Sequence, residues 1–160
     1  MLKFLGHAGF MYETDKQLLL MDPWMSKSGA FDSSWYQFPS NHEFGDEIRN
    51  IIEKSNKDIY IYISHEHKDH FDVPYLTTLE LEKINFITPK FRRDHVASVL
   101  NKLNPKSVIT PVDSEIINID NLEIRLFLDD QEIVRDSALG LVDKDRDFTF
   151  LNLNDCKVYD

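Results

Sequence analysis

The stretch from Tyr60 to Asp72, YIYISHEHKDHFD, carries β-prone residues straight into a loop holding His65, His67 and His70 with acidic residues between them. The chain has six histidines, and half of them fall in this one loop. Residues two apart in an extended segment point the same way, so His65 and His67 can face one ion. The turn at Asp69 and His70 offers a second carboxylate–imidazole pair. Imidazole with carboxylate suits zinc, iron or manganese, and two such ions about 3.5–4 Å apart can share a bridging hydroxide. Packed imidazoles are otherwise used for acid–base work. Asp69 has two readings, a metal ligand or a cap on the following turn. Glu66 and Lys68 alternate away from the histidines, toward solvent.

Elements of two kinds must position that loop. LKFLG, GFMYE and QLLLMD, separated by GHAG and TDK, read as an antiparallel meander. Residues 23–45 follow with both tryptophans and no clean period. A loop of that length either walls a substrate pocket or is pinned by its own aromatics. DEIRNIIEK spaces Ile48, Ile51 and Ile52 as a helix from Asp46 to Lys54, and DIYIYIS is the strand that delivers the histidines. Beyond them VPYLTTLELEK reads as a helix, INFIT as a strand, RRDHVASVLNKL as a helix and KSVIT as a strand. After Pro111 come β-hairpin segments, SEIINI, LEIRLFL, SALGLVD and FTFLNLN. Alternating strands and helices indicate a layered α/β fold, and no low-complexity linker divides it, so one domain spanning 1–160 is expected.

Composition narrows the function. With 160 residues and 42% hydrophobic content the chain can bury a real core. A formal charge of −10 argues against phosphate-backbone binding, so no nucleic-acid partner is expected. One cysteine, Cys156, excludes a disulfide framework or an all-cysteine metal site within the chain, and a lone cysteine after a strand reads as a small apolar residue. No apolar run reaches the roughly 20 residues of a membrane helix. Met1 leads directly into strand-like sequence, so no secretory signal is expected and a cytoplasmic location is the default.

SHEHKDHFD resembles the signature loop of the metallo-β-lactamase superfamily. GHAGF after the first strand and LLLMDPW after the third resemble that superfamily's opening, and FLNLNDC resembles its late strand end. The resemblance implies an αββα sandwich holding one or two divalent ions (Zn, Fe or Mn), with His65, His67, Asp69 and His70 as ligands. It further implies that Asp155 bridges the ions and that Asp22 supports the metal loop from below. His7 resembles a position near the site mouth, although by chemistry alone it is a turn histidine; with Trp24, Trp35 and His42 it would belong to a substrate-facing region. His95 reads as a surface residue. MDPWMSKSGAFDSSW and NLNDC resemble the CMP-N-acetylneuraminate hydroxylase-like branch, with the sugar-acid phosphate lactonase-like branch sharing the opening.

Two departures accompany the likeness. Asp136, in RDSALGLV, stands where the superfamily supplies a histidine; it is either a further ligand or the cap of a turn before the strand. The last histidine of the superfamily pattern has no counterpart, so the second half of the sandwich is expected to be incomplete at the C-terminus, with self-association or a second chain completing the fold. The expected activity is that of a metal-dependent hydrolase, with Asp69 as the catalytic carboxylate, acting on an ester, amide or phosphodiester of a small molecule, sugar- or phosphate-containing. Two alternatives stand beside it. One is an iron-dependent hydroxylase acting on a nucleotide sugar with a separate Rieske electron donor, since the chain lacks the paired Cys and His of such a cluster. The other is an inactive fragment or scaffold.

Overall fold

The computed structural model describes residues 1–131 and 135–157. The three opening segments form the expected meander, β1 (Leu2–Gly6), β2 (Gly9–Glu13) and β3 (Gln17–Met21). Parallel strands β4 (Asp58–Tyr62), β5 (Ile84–Ile87) and β6 (Ser107–Ile109) extend this sheet in sequence order from β3. A second, antiparallel sheet contains β7 (Ile116–Ile119), β8 (Leu122–Asp130), β9 (Arg135–Asp143) and β10 (Phe148–Asn152), ordered β10-β9-β8-β7.

The continuous apolar run QLLLM follows from burial on both sides of the first sheet. Leu18 and Leu20, with Ile59, Ile61 and Phe86, face α1 (His42–Lys54), α2 (Val73–Leu76) and α3 (His95–Lys102). Leu19 and Met21, with Tyr62 and Ile87, face the second sheet and meet Leu122, Ile124, Leu126, Leu139 and Leu141. The rings of Tyr12 and Phe148 stack across this interface with centroids 5.3 Å apart. The layers therefore run helices, sheet, sheet. Among the described residues nothing covers the outer face of the second sheet, where Phe127, Leu151 and Leu153 are exposed. This is the αββα arrangement without its last helical layer.

Three local expectations are corrected. The helix expected over VPYLTTLELEK is broken into α2 and a 3-10 turn at Leu81–Lys83. Thr77 and Thr78 turn their hydroxyls back to the carbonyls of Pro74 and Tyr75, at 3.0 and 2.7 Å, and compete with helix continuation. The helix expected from Asp46 begins four residues earlier, at His42, so His42 belongs to its first turn and not to a loop. Asn41 holds that start in place by donating to the carbonyls of Leu5 and Trp24. β8 and β9 are longer than their apolar cores, so Asp136 lies inside β9, opposite Asp129, and does not cap a turn. Residues 132–134 of that connection lie outside the described residues. No helix among the described residues is long and apolar enough to cross a membrane.

Candidate metal centre

β3 and β4 pair in parallel with Met21 opposite Tyr62, which brings the residues just beyond both strands side by side. Asp22 accepts from the Ser64 amide at 2.8 Å and from the Ser64 hydroxyl at 2.6 Å. Its second neighbour is His70, whose Nδ1 lies 2.8 Å from Asp22 Oδ2 with both side chains fully buried. Asp22 thus lies beneath the histidine loop, with φ at 40°. His7 at φ 50° and Asn154 at φ 49° mark the two other turns that reach the loop. Positive φ at residues other than glycine is uncommon and costs free energy, and such conformations concentrate at functional sites.

Two groups of ligand-type atoms result. His65, His67 and Asp155 form one, and His7, Asp69 and His70 form the other, with the ligand atoms of each group within 4.8 Å of one another. In the first, His65 Nε2 and His67 Nδ1 are 2.8 Å apart. In the second, His7 Nε2 lies 3.2 Å from His70 Nε2 and 3.0 Å from Asp69 Oδ2. Asp155 stands between the groups, its Oδ2 3.8 Å from His65 Nε2 and 3.6 Å from His70 Nε2. That carboxylate is half-exposed, whereas His65 and His70 are buried.

The far nitrogens of the two buried histidines each lie close to a carboxylate, hydrogen-bonded to it in His70 and beside it in His65, whose Nδ1 bonds Ser64 Oγ at 2.9 Å. Asp22 takes Nδ1 of His70, and Asp136 Oδ1 lies 3.1 Å from Nδ1 of His65. Asp136, expected among the ligands, falls in neither group and lies behind the His65 ring instead. Burial opposes charge on His70, but the hydrogen bond to Asp22 and the nearby carboxylates outweigh it and push the imidazole up to about 9. Burial likewise raises Asp69, while His7 and His70 more than offset it and leave the carboxyl below its ordinary range. Burial, with Asp136, Asp129 and Asp155 around it, pushes the Cys156 thiol up to about 12 and keeps it protonated.

A divalent cation fits this donor set. Among the described residues Asp69 Oδ1, and Asp136 Oδ2 behind His65, are buried with no hydrogen-bond partner, orphan lone pairs that cost free energy unless something meets them. With Nδ1 committed to Asp22, neutral His70 turns the lone pair of Nε2 toward His7 and Asp155.

The surrounding loop orients the candidate ligands. Asp72 accepts from the amides of Met25 and Ser26 at 2.9 and 2.7 Å, tying residues 23–45 to the end of the histidine loop. Trp24, 3% exposed, packs its ring 5.5 Å from that of His7, so it supports the imidazole from inside. Trp35, 49% exposed, lies 5.7 Å from His7 and forms the outer wall with Phe31, which is 6.3 Å from His67. His42 is bonded to Ser40 at 2.8 Å and belongs to neither group. Glu66 pairs with Arg135 and Lys68 with Asp32, both directed away from the ligand atoms. Ser64 and Ser137 went unread in the sequence. Ser64 Oγ is within 2.9 Å of His65 Nδ1 and 3.3 Å of His70 Nδ1, and Ser137 Oγ donates to the Ser64 carbonyl at 2.9 Å. The adjacency of Ser64 to His65 was the available signal; nothing local marks Ser137.

Residues 1–140 match the family described as Beta-lactamase superfamily domain. The chain is 30% identical, over 98% of its length, to a Mycolicibacterium smegmatis protein named "Putative Rieske 2Fe-2S iron-sulfur protein", of which the match covers 30%. It therefore spans less than a third of the length of the curated relatives it matches. Among solved structures, "a possible metal-dependent hydrolase" from Veillonella parvula superposes with a TM-score of 0.68 at 11% identity, covering 99% of this chain and 63% of that one. CmlA, a diiron β-hydroxylase from Streptomyces venezuelae, does so with a TM-score of 0.61 at 15% identity, over 94% of this chain and 28% of that one.

Proposed function

Since the chain belongs to the β-lactamase superfamily domain family, we propose that it is a metal-dependent hydrolase domain acting on a small molecule with an ester, amide or phosphodiester bond. The observation that carries the reading is the pair of imidazole–carboxylate groups meeting at Asp155, beside a buried Asp69 oxygen with no partner among the described residues. His65, His67 and Asp155 would hold one cation, and Asp69 and His70 would contribute to a second, with Asp155 shared. When bound, zinc, iron or manganese there supplies Lewis-acid polarisation of the substrate and activation of water.

The chain's own residues prepare that chemistry. Asp22 would hold the Nδ1 proton of His70, and Ser64 Oγ, 2.9 Å from Nδ1 of His65 with Asp136 at 3.1 Å behind it, would hold that of His65, so that both Nε2 atoms are turned inward. Trp35 and Phe31 give a substrate an apolar wall on the open side. Asp155, half-exposed, faces the solvent from which substrate arrives. Metal content by mass spectrometry on chelator-free protein, with turnover of a panel of lactones, esters and phosphodiesters, tests the reading. One to two equivalents of metal and hydrolysis lost in His67→Ala support it; metal-free wild-type protein, or full turnover in His67→Ala, would end it.

A second reading is favoured by the name of the mycobacterial relative, a Rieske iron–sulfur protein. A Rieske cluster needs two cysteines and two histidines on its irons, and this chain has one cysteine. In such a protein the cluster would lie outside the matched region and deliver electrons to an iron site here. Iron as the bound metal, with substrate oxidised only when a reduced Rieske donor is added, would favour this reading over hydrolysis.

A further inference from the structure

We propose that His7 is a metal ligand, closing a second cation subsite with Asp69 and His70; this rests on the metal-centre reading above and adds to it a ligand from the first hairpin. The histidine loop alone leaves the second cation with one imidazole, one carboxylate and a share of Asp155. His7 supplies the missing donor from the other end of the fold. Its Nε2 is 3.0 Å from Asp69 Oδ2 and 3.2 Å from His70 Nε2.

Three features separate this from a chance contact of a turn histidine. First, the backbone is bent to aim the ring. His7 has φ 50°, beside Gly6 at φ 109°, and the β1–β2 register shifts between Phe4 and Gly6. Histidine is one of the few side chains other than glycine that enter this region readily, and the bend carries the ring of His7 toward Asp69 and His70 instead of leaving it in the solvent.

Second, the ring is fixed on two sides, with Trp24 at 5.5 Å and Trp35 at 5.7 Å, both edge-on. Its side chain is 25% exposed, although the residue as a whole is open to solvent at the turn. Trp24 is held in turn by Asn41 and Gln37, both donating to its carbonyl, at 3.0 and 2.7 Å. The imidazole is therefore preorganised, which lowers the entropic cost of taking a ligand.

Third, the electronic demand is complementary. Asp22 holds Nδ1 of His70, so the Nε2 facing His7 is a lone pair when His70 is neutral. Asp69 adds Oδ2 toward His7, and its Oδ1 is buried without a partner among the described residues. Two imidazole nitrogens and a carboxylate oxygen converging within 3.0 to 3.9 Å of one another are satisfied together by one cation.

The test compares wild type with His7→Asn, which tolerates positive φ and so keeps the turn, and His67→Ala as the control for the other subsite. Zinc stoichiometry is read by mass spectrometry after dialysis and affinity by calorimetry, with circular dichroism to check folding. Wild type should take up two equivalents and His7→Asn one. The second site should weaken by more than the roughly 10–100-fold that loss of an outer hydrogen-bonding partner produces. Long-range proton–nitrogen NMR on wild type supplies a readout independent of any variant, since Nε2 of His7 should shift on zinc addition alongside the nitrogens of His65, His67 and His70. Two equivalents retained in His7→Asn, or an unmoved His7 Nε2 in a zinc-loaded chain, would overturn the assignment while leaving the metal centre standing. A wild type that takes up no zinc would overturn both.

Discussion

Asp22 Oδ2 lies 2.8 Å from His70 Nδ1, with no exposed surface on either side chain and a separation of 48 positions along the chain. The contact depends on the register that sets Met21 opposite Tyr62, because one residue of slip would turn Asp22 to the other face of the sheet. It makes His70 a directed donor whose free nitrogen faces His7, Asp69 and Asp155.

Replacing Asp22 by Asn keeps the shape but removes the charge that holds the Nδ1 proton. Zinc affinity should fall by about 10–100-fold with stoichiometry unchanged, read by isothermal calorimetry. Affinity equal to wild type would show that the carboxylate serves only the fold.

Asp136→Asn distinguishes ligand from support at a position where sequence and structure point differently. From behind the His65 ring, 3.1 Å from Nδ1, Asp136 should affect affinity by about the same 10–100-fold and leave the metal count intact. His67→Ala, by contrast, should lower the count. Loss of a whole equivalent in Asp136→Asn would make Asp136 a ligand after all.

Acid stability should depend on Asp143. Burial works to raise this carboxyl, but the Tyr12 hydroxyl at 2.7 Å, the Asn121 amide at 2.8 Å and the amides of Asp145 and Arg146 overcome it and hold the group below its ordinary range. A folded-state value below the unfolded one contributes stability that is present above the unfolded value, about 3.9. That contribution is lost as pH falls through the lowered one. Urea midpoints measured across that acid range should therefore drop more steeply for wild type than for Asp143→Asn. Parallel curves would remove Asp143 from the acid transition.

Much of the architecture was legible because it is written in local periods. QLLLM and DIYIY alternate between two buried faces, and LEIRL alternates inner leucines and isoleucines with outer polar residues. The break after Leu76 was not legible, since VPYLTTLELEK keeps a helical spacing and only the back-bonding of Thr77 and Thr78 ends it. The early start of α1 was hidden for a related reason: Asn41 holds it through carbonyls 36 and 17 residues away.

The candidate site divides along the same line. His65, His67, Asp69 and His70 could be named from the sequence because side-chain direction over a few residues follows from backbone geometry. Which nitrogen of each ring faces inward, and which carboxylate stands behind it, was decided by sheet register and by the packing of one sheet on the other. So was the arrival of His7, 63 residues before His70 and brought to 3.2 Å from it by a strained hairpin turn. Spacing carries no information across such a distance, because the direction of a side chain is lost within a few residues of freely varying backbone and is restored only when the chain folds back on itself.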